Sequence, residues 1–229
     1  MQLMFVHGSG GTPRAWKYQS SHYPDSIAIA LPGHPEGDFI DSIPGMVAWL
    51  NASVEEKGIS ELVLVGHSMG GGIALQYALD YPEDVRALVL VGSGGRLRVH
   101  PDTIDSMAQA DANSSPFTRM IDGMLCKISE DFAPQLRTDA LELGPAAFLN
   151  DFRACDQFDV MDRLGEIDIP ALAIVGTEDV MTPVKYAEFL VEKMPNAELE
   201  IIEGGTHYVF AEYPDQVNGA IDRFLNTLK

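Results

Sequence analysis

The segment Gly66-His67-Ser68-Met69-Gly70 limits what this chain can fold into more than any other. An apolar run, Glu61-Leu62-Val63-Leu64-Val65, leads into it, and residues 71–79 after it read as a buried helix. A G-x-S-x-G between a strand and a helix marks a sharp turn with the serine at its apex. A serine hydroxyl is a weak nucleophile at neutral pH, so it must be held where a base can reach it. Glycines two residues before and two after remove side chains that would clash in the turn. The helix start then offers unpaired backbone N–H groups to a developing negative charge. Such a short pattern also recurs by chance in a chain with 21 glycines, so its flanking strand and helix carry much of its weight.

Elsewhere, short β-rich apolar runs alternate with helical patterns, which predicts an α/β fold with a largely parallel sheet. Strands are expected at residues 2–6, 26–31, 61–65, 85–91, 171–175 and 199–203. Helices are expected at 43–57, from Ser68 to about Tyr81, at 183–194 and at 215–228. The nearly continuous hydrophobic runs of the expected strands fit a sheet covered on both faces. Residues 93–166 carry no convincing strand, and helix starts appear there at Asp102, Ser115-Pro116 and Gly144-Pro145. A helical insertion between two strands is expected to form a cap, or lid, over a core made of 1–92 and 167–229; ordinary crossover helices are the alternative.

At 229 residues and 46% hydrophobic, the chain has material for one large domain, and no apolar run approaches the ~20 residues of a membrane span. The start, Met1-Gln2-Leu3-Met4-Phe5-Val6, lacks the features of a secretory signal, so a cytoplasmic protein is expected. Cys126 and Cys155 are too few for a disulfide framework and have no histidine at metal-ligand spacing. The formal net charge of −19 disfavours nucleic acid and anionic membranes as partners. A monomer or homodimer acting on a small molecule is the expectation.

A serine nucleophile needs a base, and the base needs an orienting carboxylate, in the chain order Ser, Asp or Glu, His. Asp179 follows the strand at 171–175 and His207 follows the last strand, both at the carboxyl edge where α/β sheets form sites. Glu178 is an adjacent rival to Asp179, and Asp156 or Asp159 is a further carboxylate that could supplement it. The oxyanion hole should combine the N–H of Met69 with one from the loop His7-Gly8-Ser9-Gly10-Gly11-Thr12-Pro13, Ser9 first and Gly10 second. That loop lacks the Lys-Ser/Thr ending of a P-loop and the G-x-G-x-x-G spacing, which argues against a phosphate cradle. His7 and His67 read as structural; His22, His34 and His100 show no partner. Arg96 and Arg98 could meet a substrate carboxylate or simply be solvated.

Together, His7-Gly8, Pro32-Gly33-His34, residues 66–71, Gly176-Thr177-Glu178-Asp179 and Gly204-Gly205-Thr206-His207, with Glu212 and Pro214, resemble the α/β-hydrolase fold family across essentially the whole chain. Within it the chain looks like the small serine carboxylesterases with a helical cap, and it is similar to enol-lactonases and aminoacrylate hydrolases. The resemblance implies a Ser68-Asp179-His207 triad, no metal or organic cofactor, and hydrolysis of small, largely neutral or apolar esters through an acyl-enzyme. Lactone, thioester or C–C bond cleavage and cofactor-free perhydrolysis use the same triad, and a ligand receptor with a hydrolase shell belongs to another class. Two departures stand out: no antiparallel strands precede the strand at 2–6, and the histidine loop reads Gly-Gly-Thr-His rather than Gly-Ala-Gly-His. Met107, Phe117, Met120, Met124 and Phe148 could line an apolar substrate pocket or only pack the cap on the core.

Overall fold

The computed structural model describes residues 1–112 and 114–228. Strands β1 (Gln2–Val6), β2 (Ile27–Ile29), β3 (Leu62–His67), β4 (Val85–Val91), β5 (Ala171–Gly176) and β6 (Ala197–Ile202) make one sheet in the order β2-β1-β3-β4-β5-β6. Every pairing is parallel. Side chains alternate across each strand, so Leu62 and Leu64 enter one hydrophobic layer and Val63 and Val65 the other. The first layer is closed by helices α2 (Ile43–Glu56), α3 (Met69–Asp80) and α7 (Val184–Lys193). The second is closed by α8 (Val209–Glu212), α9 (Pro214–Thr227) and Trp16, whose ring stacks 5.0 Å from Phe5 and lies 4.3 Å from Phe210.

Most expected elements are present, with two differences at the edges. Strand β2 keeps only three residues, and β6 begins at Ala197 and turns Glu198 outward. As the outermost strand, β6 has one half-solvated side, so its sequence alternates instead of running apolar. The pattern reading also missed the 3-10 turn Pro13–Trp16 and the short helix α1 (Lys17–His22), although Thr12 caps that turn by accepting the Arg14 N–H at 3.3 Å.

Between β4 and β5 lie α4 (Pro101–Ala108), α5 (Ser115–Met124), α6 (Ala133–Asp156) and a 3-10 turn at Met161–Glu166, with no strand among the described residues. The start expected at Gly144-Pro145 is a break inside α6: Gly144 takes φ 72° and ψ 175°, and Pro145, lacking an N–H, opens the second half.

Strand order positions the site. The chain leaves β1 toward β2 on one side and later returns to add β3 on the other. At such a reversal the loops after the two adjacent strands diverge and leave a crevice at the carboxyl edge. The glycine loop after β1 and the serine turn after β3 flank that crevice.

Candidate active site

Ser68 sits between β3 and α3 with φ 52° and ψ −115°, the one non-glycine residue with positive φ among the described residues. The surroundings hold this strained geometry in place. The Ser68 N–H donates to the Val91 carbonyl at 2.9 Å, and its own carbonyl accepts from Gly71 N at 2.9 Å and Ser93 Oγ at 2.8 Å. The flanking glycines are required by space: a Cβ on Gly66 would lie 2.2 Å from the Gly70 carbonyl oxygen, and one on Gly70 2.3 Å from that of Val6. Met69 is buried and opens α3, so its N–H is among the first helical amides, which have no partner within the helix.

Asp179 and His207 meet although 28 residues separate them, with Nδ1 of the imidazole 2.9 Å from Asp179 Oδ2 and both residues buried. Three further donors hold the carboxylate: Met181 N and Thr182 N at 2.9 Å on Oδ1, and Thr182 Oγ1 at 2.8 Å on Oδ2. Burial raises the Asp179 pKa, but the His207 hydrogen bond and charge, with the Thr182 donors, outweigh it and leave it below the ordinary value. Thr182 was not singled out from sequence. Its signal was an Asp followed three residues later by Thr, the spacing of a side-chain-closed turn.

The two loops reach each other across the end of β4 because Gly92 is there. At φ 53°, a Cβ on Gly92 would stand 3.2 Å from Asp179 Oδ2 and 3.3 Å from His207 Nδ1. His67 lines the cavity that Ser68 and His207 share; its Nε2–H donates to the His207 carbonyl at 2.9 Å, and burial, then the nearby His207, hold its pKa well below normal. Glu212 accepts from Thr206 N at 2.7 Å and also bonds Thr206 Oγ1, fixing the residue before His207.

Rival carboxylates are engaged elsewhere. Glu178 takes Lys127 Nζ at 2.6 Å, and the same ammonium donates to the Gly204 carbonyl at 2.9 Å. Asp156 and Asp159 lie 3.6 Å from Arg98 and Arg96 respectively. His34 does have a partner: its Nε2 lies 2.9 Å from Oδ2 of Asp151, and both side chains are fully buried. Although burial opposes it, Asp151 raises the His34 pKa, whereas burial and the neighbouring His34 lower His7 to about 4.

Ser9, Ser68 and His207 open on one cavity of about 60 Å³, walled by Leu97, Val99, Met124, Phe152 and Tyr208 and rimmed by Arg98. Of the five insertion residues considered for a pocket, only Met124 lines it. Phe117 and Phe148 are buried against each other at 5.5 Å, and Met107 and Met120 pack into the same layer. The Gly10 N–H is taken by Asp151 at 2.8 Å, so it is not free for an oxyanion. Cys155 also lines the cavity, 3.6 Å from Ser9 Oγ, and burial pushes its thiol up to about 12. Among the described residues no group of three or more His, Cys, Asp or Glu is arranged to hold a metal, and no helix is long and apolar enough to cross a membrane.

A six-stranded parallel sheet with a serine turn after its third strand defines the α/β-hydrolase class. Residues 3–220 match the family model described as "Alpha/beta hydrolase family", and the chain belongs to that family. One relative, the 2-hydroxy-6-oxononadienedioate/2-hydroxy-6-oxononatrienedioate hydrolase of Burkholderia vietnamiensis, is 31% identical, over 97% of this chain and 86% of its own length. A pimeloyl-[acyl-carrier protein] methyl ester esterase of Neisseria meningitidis is 25% identical, over 93% and 88%. Among solved structures, a thermophilic esterase superposes with a TM-score of 0.83 at 31% identity, covering 99% of this chain and 90% of its own.

Proposed function

We propose that this protein is a serine hydrolase of small carboxylic esters. The observation that carries the reading is the buried Asp179–His207 pair at 2.9 Å, opening on the cavity that holds the strained Ser68. Ser68 Oγ attacks the ester carbonyl while His207 Nε2 takes its proton; Asp179 holds the imidazole through Nδ1 and stabilises its charge. The N–H groups of Met69 and Ser9 bind the tetrahedral oxyanion, each such donor being worth about 3–4 kcal/mol. The alcohol leaves with the proton from His207, which then activates water to free the acid. Residues 93–166 act as a cap, and the small, apolar cavity favours short acyl groups.

Ser68→Ala tests the reading. Turnover of p-nitrophenyl acetate and butyrate, and labelling by a fluorophosphonate, should both vanish in a protein with unchanged thermal unfolding. Full activity in that variant would sink the assignment. A second reading, C–C bond hydrolysis, draws on the Burkholderia relative and on Arg98, a cation at the cavity rim able to face a substrate carboxylate. A 2-hydroxy-6-oxo-dienedioate assayed beside the esters separates the two.

A further inference from the structure

Asp151 is a charged side chain with no contact to solvent, and it comes from the helical insertion rather than from the sheet. Burying a carboxylate is costly unless donors surround it. Its donors are informative: Gly10 N at 2.8 Å, His34 Nε2 at 2.9 Å and its neighbour Asn150 Nδ2 at 3.2 Å. His34 is itself tied down, with Nδ1 3.1 Å from the Pro32 carbonyl. Two segments of the core, the loop after β1 and the turn after β2, are thus pinned to one oxygen of α6.

The Gly10 contact falls at a sensitive point. Gly11 N donates to the Gly8 carbonyl at 3.1 Å, closing a four-residue turn with Ser9 and Gly10 at its centre, and Gly10 takes φ 60°. The central peptide of such a turn has two orientations, and positive φ at the third residue belongs to one of them. In the observed orientation the Gly10 N–H meets the Asp151 carboxylate. In the flipped one the Ser9 carbonyl would face that carboxylate, two acceptors without a proton between them. The carboxylate therefore selects one orientation of the Ser9–Gly10 peptide and anchors the turn whose preceding peptide carries the Ser9 N–H.

We propose that Asp151, held by His34, is a positioning residue that fixes the Gly8–Gly11 turn so that the Ser9 N–H faces the oxyanion forming on Ser68. The proposal rests on the hydrolase reading above and assigns the insertion a part in the chemical step. Asp151 touches no reacting atom; it acts through the backbone of the glycine loop.

The test compares Asp151→Leu, which is similar in size and accepts nothing, with Asp151→Asn, whose carbonyl oxygen, placed where Oδ2 lies, can still accept from both Gly10 N and the His34 Nε2–H. Asp151→Leu should lower kcat on p-nitrophenyl butyrate by about 10–100-fold, less than outright loss of an oxyanion donor. KM should stay within about twofold, because a substrate carbonyl uses the donor far less than the transition state does. Phenylboronic acid, which forms a tetrahedral anion on the serine, should weaken by the same factor as kcat. Asp151→Asn should recover kcat to within about fivefold, a neutral acceptor being weaker than a charged one. The idea is overturned if Asp151→Leu keeps its kcat, or if its loss lies in KM with boronate affinity intact. Should Asp151→Leu fail to fold, Asp151→Ser, too short to reach Gly10 N, takes its place, and full kcat there overturns the idea equally. A wild-type protein inert to both the ester and a fluorophosphonate would overturn the hydrolase reading instead, and the positioning role would fall with it.

Discussion

Gly92→Ala is a sharp perturbation of the candidate site because it adds one methyl group at a known place. Two effects act together. At φ 53° an alanine loses about 1–2 kcal/mol relative to glycine, since Cβ crowds the backbone in the left-handed region. For a domain of this size that is a fall in Tm of about 2–8 °C. The second effect is local: the methyl would sit 3.2 Å from Asp179 Oδ2 and 3.3 Å from His207 Nδ1, closer than ordinary van der Waals contact. Asp179 is held by three other donors and cannot retreat easily, so His207 is expected to move by a few tenths of an ångström. Misplacement by 1 Å can cost on the order of 100-fold in rate, which puts the loss in kcat here at about 10-fold. Stopped-flow acylation with p-nitrophenyl acetate reads the rate, and calorimetry reads Tm. An unchanged acylation rate with the expected fall in Tm would show that the close approach of Gly92 to the pair has no bearing on chemistry.

The buried His34 makes stability depend on pH in a defined direction. Its folded pKa is raised, so its stabilising contribution is complete below the unfolded value of about 6.5 and is lost as pH climbs through the folded value. The stability advantage of wild type over His34→Gln, measured by urea melts, should therefore shrink from about pH 6.5 upward; a constant difference would refute the charged pair with Asp151. Met124 and Tyr208 also wall a second apolar cavity of about 20 Å³ beside the first. Met124→Ala should join the two and shift the kcat/KM optimum of a p-nitrophenyl ester series toward longer acyl chains, an outcome read directly from the chain-length profile.

Much of the candidate site's placement was legible in residue order. Ser68, Asp179 and His207 each follow a strand, and parallel strands deliver their carboxyl ends to one edge whatever lies between them. What the sequence hid depends on contacts with no periodicity. Asp151 finds Gly10 across 141 residues and His34 across 117, and a lone acidic residue in a helix has no pattern that announces a buried partner. Gly92 looked like any strand-ending glycine, because the need for it comes from two loops that arrive later in the chain. The apolar insertion residues left two readings open for a simpler reason: a Met or Phe stripe looks the same whether it lines a cavity, as Met124 does, or packs on another aromatic ring, as Phe117 does.

Lys127, Asp139 and Asp151 all project from the helical insertion onto core loops: Lys127 onto Glu178 and the Gly204 carbonyl, Asp139 onto Thr12 and Arg14, Asp151 onto Gly10 and His34. The insertion is therefore not an exchangeable module. A chimera that grafted another relative's helices between β4 and β5 would leave His34 without its counter-ion and the glycine loop unanchored, unless equivalent carboxylates came with the graft. On the proposed hydrolase reading, specificity and turnover are inherited together, and an engineer wishing to change one should redraw the cavity wall at Met124 and leave the three anchors in place.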